Sequence, residues 1–158
     1  MSQPIIIRQA IATDSEAIGY LASQFSRYLR SLGDTTEFKL TAEACRRDGF
    51  GVAPAFEGIV AEHDGRVIGY LLYHLGYDSD AAQRTMHVAD LYVDATSRRL
   101  GVGKALMAKA AEVARNQGAG EMIWSVFTAN KIASAFYEKL GAQRITDVYF
   151  MRLKTGEL

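Results

Sequence analysis

Apolar side chains at Ile18, Leu21, Ala22, Phe25, Leu29 and Leu32 recur at intervals of 3, 1, 3, 4 and 3 residues, one face of an amphipathic helix. Thr13-Asp14-Ser15-Glu16 ahead of it reads as a capping box, and Gly33 as its stop. A second, shorter helix is expected from Thr41 to Gly49. Residues 5–8 form a short β-rich run. Residues 59–62 and 67–73 read as two strands joined by Asp64-Gly65, a type I′ hairpin signal. Residues 85–93 are apolar on both phases, as in a central strand. Helical periodicity returns at 103–117 with Gly118 as its stop, and again at 131–140 with Gly141. Strands are expected at 121–127 and 145–153. Hairpin strands first and strand–helix–strand crossovers later predict a mixed sheet in an α/β (α+β) architecture.

Composition narrows the class. The chain has 158 residues, 49% hydrophobic and 23% charged, which suits one globular domain over 1–158 and excludes a disordered or collagen-like chain. Lys plus Arg equal Asp plus Glu at 18 each, so no basic surplus points to nucleic acid. Cys45 is the only cysteine, which rules out an intrachain disulfide and fits a reducing compartment. The start of the chain lacks a secretory pattern, and residues 67–77 are broken by Gly69, His74 and Gly76. The expectation is a cytoplasmic protein with no membrane and no nucleic-acid partner.

The chemistry concentrates in Arg98-Arg99-Leu100-Gly101-Val102-Gly103-Lys104, between a strand and a helix. Glycines there admit a ligand close to the backbone, helix N–H groups follow, and three cations add charge, a pattern suited to phosphate. An ordinary tight turn is the plainer alternative. A Walker A loop is excluded by Arg98 and Ala105, and a dinucleotide fingerprint by Leu106 where a third glycine is needed.

Arg98-x-x-Gly101-x-Gly103 resembles the acetyl-CoA pyrophosphate motif of the GNAT N-acetyltransferase superfamily. Residues 130–142, Asn130-Lys131-Ile132-Ala133-Ser134-Ala135-Phe136-Tyr137 and onward to Gly141-Ala142, are similar to its second signature. Ile7-Arg8-Gln9-Ala10 and Asp14 resemble the family's opening. Leu40-Thr41, Asp48-Gly49-Phe50-Gly51, Pro54, Tyr73, Tyr77-Asp78 and Asp90-Leu91-Tyr92-Val93 are more narrowly similar to the spermidine/spermine and thialysine N-acetyltransferases.

The resemblance implies a splayed sheet of about six to seven strands with about four helices, opened between the strands at 85–93 and 121–127. It implies acetyl-CoA as co-substrate, no metal, a small-molecule amine acceptor and a homodimer. Pantetheine would pair with the main chain along Leu91, Tyr92 and Val93, residues that also read as plain core. Arg98 to Lys104 would hold the pyrophosphate, and Asn130 and Ala133 would touch the cofactor, although Asn130 also suits an N-cap. Tyr137 matches the acid that protonates the leaving thiolate, with a core aromatic beside Phe136 as the alternative. Asp90 is the leading candidate base, ahead of His87 on the opposite strand phase, ordered water, and Asp78 or Asp80.

Two departures bear on the acceptor. Ala89 stands where these relatives carry an acid, and residues 147–150 lack their Glu–Gly–Trp pattern. Spermidine and spermine are therefore expected to be poor substrates, with a smaller or monocationic amine preferred. Acetylation of a protein amine, and a CoA-binding sensor without turnover, are the competing functions.

Overall fold

A computed structural model describes residues 3–157. Strand β1 (Ile6–Gln9) leads through a single 3₁₀ turn into helix α1 (Ser15–Ser31), followed by α2 (Ala42–Gly49). Strands β2 (Glu57–His63), β3 (Arg66–Asp78) and β4 (Gln83–Val93) come next, then α3 (Val102–Asn116), β5 (Ala119–Ile123) and α4 (Lys131–Lys139). The five strands lie in the order β1-β2-β3-β4-β5, the first four antiparallel and β5 parallel to β4. Asp64 and Gly65 both have positive φ, 49° and 72°, as the type I′ turn between β2 and β3 requires.

Alternation sorts the core into two layers. Val60, Tyr70, Leu72 and Tyr92 pack with Ile18, Leu21 and Ala22 of α1 and with Cys45 of α2. Ile59, Leu71, Met86 and Val88 meet Leu106, Met107 and Ala110 of α3 on the other face. Thr41 caps α2 by accepting from the Ala44 N–H at 3.1 Å.

Several expectations change. The box at Thr13 and Glu16 does not form: Asp14 is drawn into a bidentate pair with Arg8 (2.8 and 2.9 Å) and accepts the Ile11 N–H, while Glu16 reaches Arg46 of α2. Strand β5 begins at Ala119 and ends at Ile123, short of the expected 127, because its ladder with β4 stops at the pair His87–Ile123. No strand forms at 145–153. The segment 143–157 is exposed throughout, so the described residues give a five-stranded sheet in place of six to seven. β-propensity marks such a run, but a strand exists only where a ladder partner satisfies its backbone. Among the described residues no helix is long and apolar enough to cross a membrane.

Candidate active site

Strand β4 is paired on both sides only through Arg84–His87. Beyond His87 it keeps β3 on one side, while β5 has diverged on the other. The stretch 88–93 therefore presents main-chain groups to an opening bounded by α3, α4 and β5, as the resemblance implied. Leu91 and Val93 pack towards α3, and Tyr92 is buried towards α1.

At the end of this opening, Asp94 caps the short turn Ala95–Ser97 by accepting the Thr96 N–H, and the chain enters the glycine loop. Arg99 (φ 65°) and Gly101 (φ 77°) are both left-handed. Gly101 caps α3 with no side chain, so the N–H groups of Val102, Gly103 and Lys104 begin the helix without a side-chain partner. Those free donors, with Arg99 and Lys104 exposed beside them, are a donor set that fits a pyrophosphate. Gly103 has a further constraint. A Cβ there would lie 3.2 Å from Cζ of Phe136, so the glycine lets that ring sit against α3 without shifting. Arg98 is engaged differently from its neighbours: its Nε donates to the Val93 carbonyl at 3.3 Å, and its guanidinium lies 5.4 Å from the Tyr28 ring and 5.3 Å from the Tyr92 ring.

Asn130 accepts the Ala133 N–H at 3.2 Å, which caps α4, and the same oxygen accepts the Tyr28 hydroxyl at 3.2 Å. One turn further, Tyr137 packs against Trp124 and Phe136 with ring centroids 5.0 and 5.1 Å away. Burial, followed by the charge of Asp90, pushes its phenol up to about 12, so it keeps its proton at neutral pH.

Asp90 lies behind the open stretch. It accepts a hydrogen bond from the Tyr70 hydroxyl at 2.5 Å. Burial pushes its carboxyl up to about 6, against the pull of Tyr70 and the Leu91 N–H. It lines a pocket of about 200 Å³ with Ala22, Phe25 and Leu29 of α1 and with the segment 34–40. Asp34, Glu37 and Lys39 stand in that same segment, the last two 3.4 Å apart. Sequence reasoning left Asp34 and Glu37 unplaced, and the structure brings both to the pocket of Asp90. Asp78 and Asp80 remain apart from it: Asp78 accepts the Asp80 and Ala81 N–H groups in the β3–β4 turn.

The bulge in β4 corrects one reading. Val88 pairs with Tyr73 and Asp90 with Leu72, so Ala89 is the extra residue. Strict alternation puts His87 and Asp90 on opposite faces, but the bulge turns both towards the α1 side. His87 is tilted against His74 at 4.7 Å, and burial followed by His74 pulls its imidazole below the ordinary value. Tyr70, Tyr28 and the 34–40 wall were missed. Tyr70 follows from the strand register, since it faces Tyr92 and sits diagonal to Asp90, but only once the bulge is known.

A mixed sheet splayed beside a glycine loop and a helix N-terminus offers one elongated, phosphate-bearing ligand both main-chain partners and free N–H donors. A profile of the acetyltransferase (GNAT) family matches residues 20–142, and the chain belongs to that family of acetyl-CoA-dependent N-acetyltransferases. It is 34% identical over 151 residues to thialysine N-epsilon-acetyltransferase of Bos taurus, covering 90% of this chain and 86% of that protein. It is 34% identical over 95 residues to L-ornithine N5-acetyltransferase NATA1 of Arabidopsis thaliana, covering 60% of this chain and 41% of the plant protein. Its fold is similar to that of aminoglycoside N-acetyltransferase AAC(6')-Iy in complex with CoA, with a TM-score of 0.71, 22% identity and coverage of 98% and 97%. The reaction is acetyl transfer to an amine. Among the described residues no group of three or more His, Cys, Asp or Glu side chains is disposed to hold a metal ion.

Proposed function

We propose that this protein acetylates the primary amine of a small molecule by direct attack within a ternary complex. The observation that carries this reading is Asp90, a half-buried carboxylate on the strand stretch that β5 leaves open, lining a pocket of about 200 Å³. Acetyl-CoA, when bound, supplies an activated acetyl thioester. The main chain of Leu91, Tyr92 and Val93 offers the pantetheine amides the hydrogen bonds that a neighbouring strand would otherwise take. Arg99, Leu100, Gly101, Val102, Gly103 and Lys104 frame the pyrophosphate. Arg98 steadies that frame from between two tyrosines, and Asn130 and Ala133 form the α4 side of the cofactor groove.

An alkylammonium holds its proton near pH 10, so a base must remove it at neutral pH. Asp90 is ionised above about pH 6 and takes that role. Tyr137, protonated at neutral pH, donates to the departing sulfur. The rim of the pocket carries Asp34 and Glu37 but also Lys39. A rim of both signs suits a small monocation, or the zwitterionic head of an amino acid with a terminal amine, better than a polycation. The bovine and plant relatives named for thialysine and ornithine agree with this class.

The test is release of CoA thiol from acetyl-CoA with a panel of alkylamines, ω-amino acids and polyamines. The expected result is turnover with a small amine or ω-amino acid and a lower kcat/KM for spermidine. A spermidine value at or above that of every small acceptor overturns the acceptor assignment.

The protein is also proposed to be a homodimer. The exposed segment 143–157 carries Tyr149, Phe150 and Met151 at 85%, 83% and 86% exposure, and among the described residues the outer edge of β5 has no strand beside it. Exposed apolar runs and bare edges mark surfaces that associate. Sedimentation of the full chain against one ending at residue 142 checks it, with a dimer expected for the first and a monomer for the second. A full-length monomer rules the dimer out.

A further inference from the structure

Tyr70 is the largest side chain of the α1 layer with no solvent exposure, and its aromatic ring needs no hydroxyl to fill that space. The hydroxyl nevertheless reaches diagonally across the β3–β4 ladder to Oδ2 of Asp90 at 2.5 Å. A buried phenol must find an acceptor, and here the acceptor is the one carboxylate on the floor of the pocket. Tyr70 thus holds one oxygen of Asp90 from inside the core, while the carboxyl group itself borders the acceptor space.

We propose that Tyr70 is a positioning residue for acetyl transfer, fixing Asp90 and keeping it ionised so that it takes the acceptor's ammonium proton. The inference rests on the acetyl-transfer reading of this pocket. In the step it serves, one N–H proton of the ammonium passes to Asp90 and frees the nitrogen lone pair. The C–N bond then forms as the C–S bond breaks. Tyr137 gives its proton to the sulfur, the second nitrogen proton leaves to solvent, and solvent exchange restores both side chains.

The surroundings make Tyr70 the decisive neighbour. From α1 the pocket receives Ala22, Phe25, Ser26 and Leu29, none of them titratable. β4 itself contributes Tyr92 and, on the same face, His87, whose imidazole is held below its ordinary value. Tyr137 approaches from α4. Asp34, Glu37 and Lys39 form the rim, with Lys39 engaged by Glu37. The hydrogen bonds that favour the charged carboxylate come from the Tyr70 hydroxyl and the Leu91 N–H, and both oppose a strong burial effect.

The experiment compares wild type with Tyr70→Phe over pH 5.5–9, using acetyl-CoA and the best amine found. ¹³C-carboxyl NMR titration of Asp90 in both proteins accompanies the kinetics. The expected result is an acid limb of kcat/KM raised by about one pH unit, a loss of about fivefold at pH 6, and convergence by pH 9. The Asp90 midpoint should rise by the same amount, and the thermal shift given by acetyl-CoA should stay unchanged. Replacing Tyr70 by 3-fluorotyrosine, a stronger donor of nearly the same shape, should move the limb the other way. Profiles offset equally at every pH, or an Asp90 midpoint that neither variant moves, overturn the positioning role. If no amine releases CoA thiol with wild type, the acetyl-transfer reading fails instead, and the carboxyl titration still decides whether Tyr70 governs Asp90.

Discussion

The two halves of β4 differ in one respect that determines what each does. The first half, Arg84–His87, has strands on both sides, and Met86 there is fully buried. The second half, 88–93, keeps only β3, carries the Ala89 bulge, and holds Asp90, Leu91 and Val93 beside the opening. The second half is the more apolar in sequence, with Val88, Ala89, Leu91, Tyr92 and Val93, and yet it is the half left open. The difference is the neighbour: a strand that loses one ladder gains free donors and acceptors, and a bulge can then aim a side chain that strict alternation would turn away.

Substitutions should separate the halves by what they damage. Tyr137→Phe, across the opening from the second half, should lower kcat by about 10²–10⁴ while stability and the acetyl-CoA thermal shift hold. Wild-type turnover would remove Tyr137 from the reaction. Met86→Ala, in the sealed half, should cost about 2–5 kcal/mol in denaturant unfolding, with kcat of the folded fraction nearly intact.

Asp90→Asn should invert that pattern, losing activity while gaining stability. The Asp90 carboxyl is raised from 3.8 to about 6 in the folded protein, so it favours folding below pH 4 and loses that contribution as pH rises to 6. Asn does not titrate. Its advantage over wild type should therefore grow between pH 4 and 6 and level off at about 1–3 kcal/mol, read from unfolding midpoints at several pH values. A constant difference across that range would mean that Asp90 is not strained by burial. Gly101→Ala should have the smallest effect, about 1–2 kcal/mol, because φ of 77° is costly for a residue with a Cβ. The same unfolding midpoints measure it.

The regions legible in sequence are those governed by neighbours a few residues away. Helix α3 with its Gly118 stop, the Asp64-Gly65 turn, the loop at 98–104 and the Asn130 cap all follow from local chemistry. What escaped depends on distant partners. The end of β5 at Ile123 and the unformed strand at 145–153 are set by where a ladder partner is present, which no local pattern encodes. The capping box at Thr13 lost to Arg8, which draws Asp14 into its own ion pair. At the site, Asp90 and Tyr137 were visible as residue types in a motif. Tyr70, and the arrival of Asp34 and Glu37, needed the register, the bulge and the path of the segment after α1.

Tyr28 belongs to α1, a wall of the proposed acceptor pocket, yet its hydroxyl is held by Asn130 at the start of α4 and its ring faces Arg98 of the glycine loop. A single side chain therefore spans the two compartments of the site. An acceptor that tightened α1 would also tighten the mouth of the proposed cofactor groove, and linkage would then require the cofactor to raise acceptor affinity by the same factor. Cutting this strut with Tyr28→Phe would leave both ligands able to bind, each indifferent to the other.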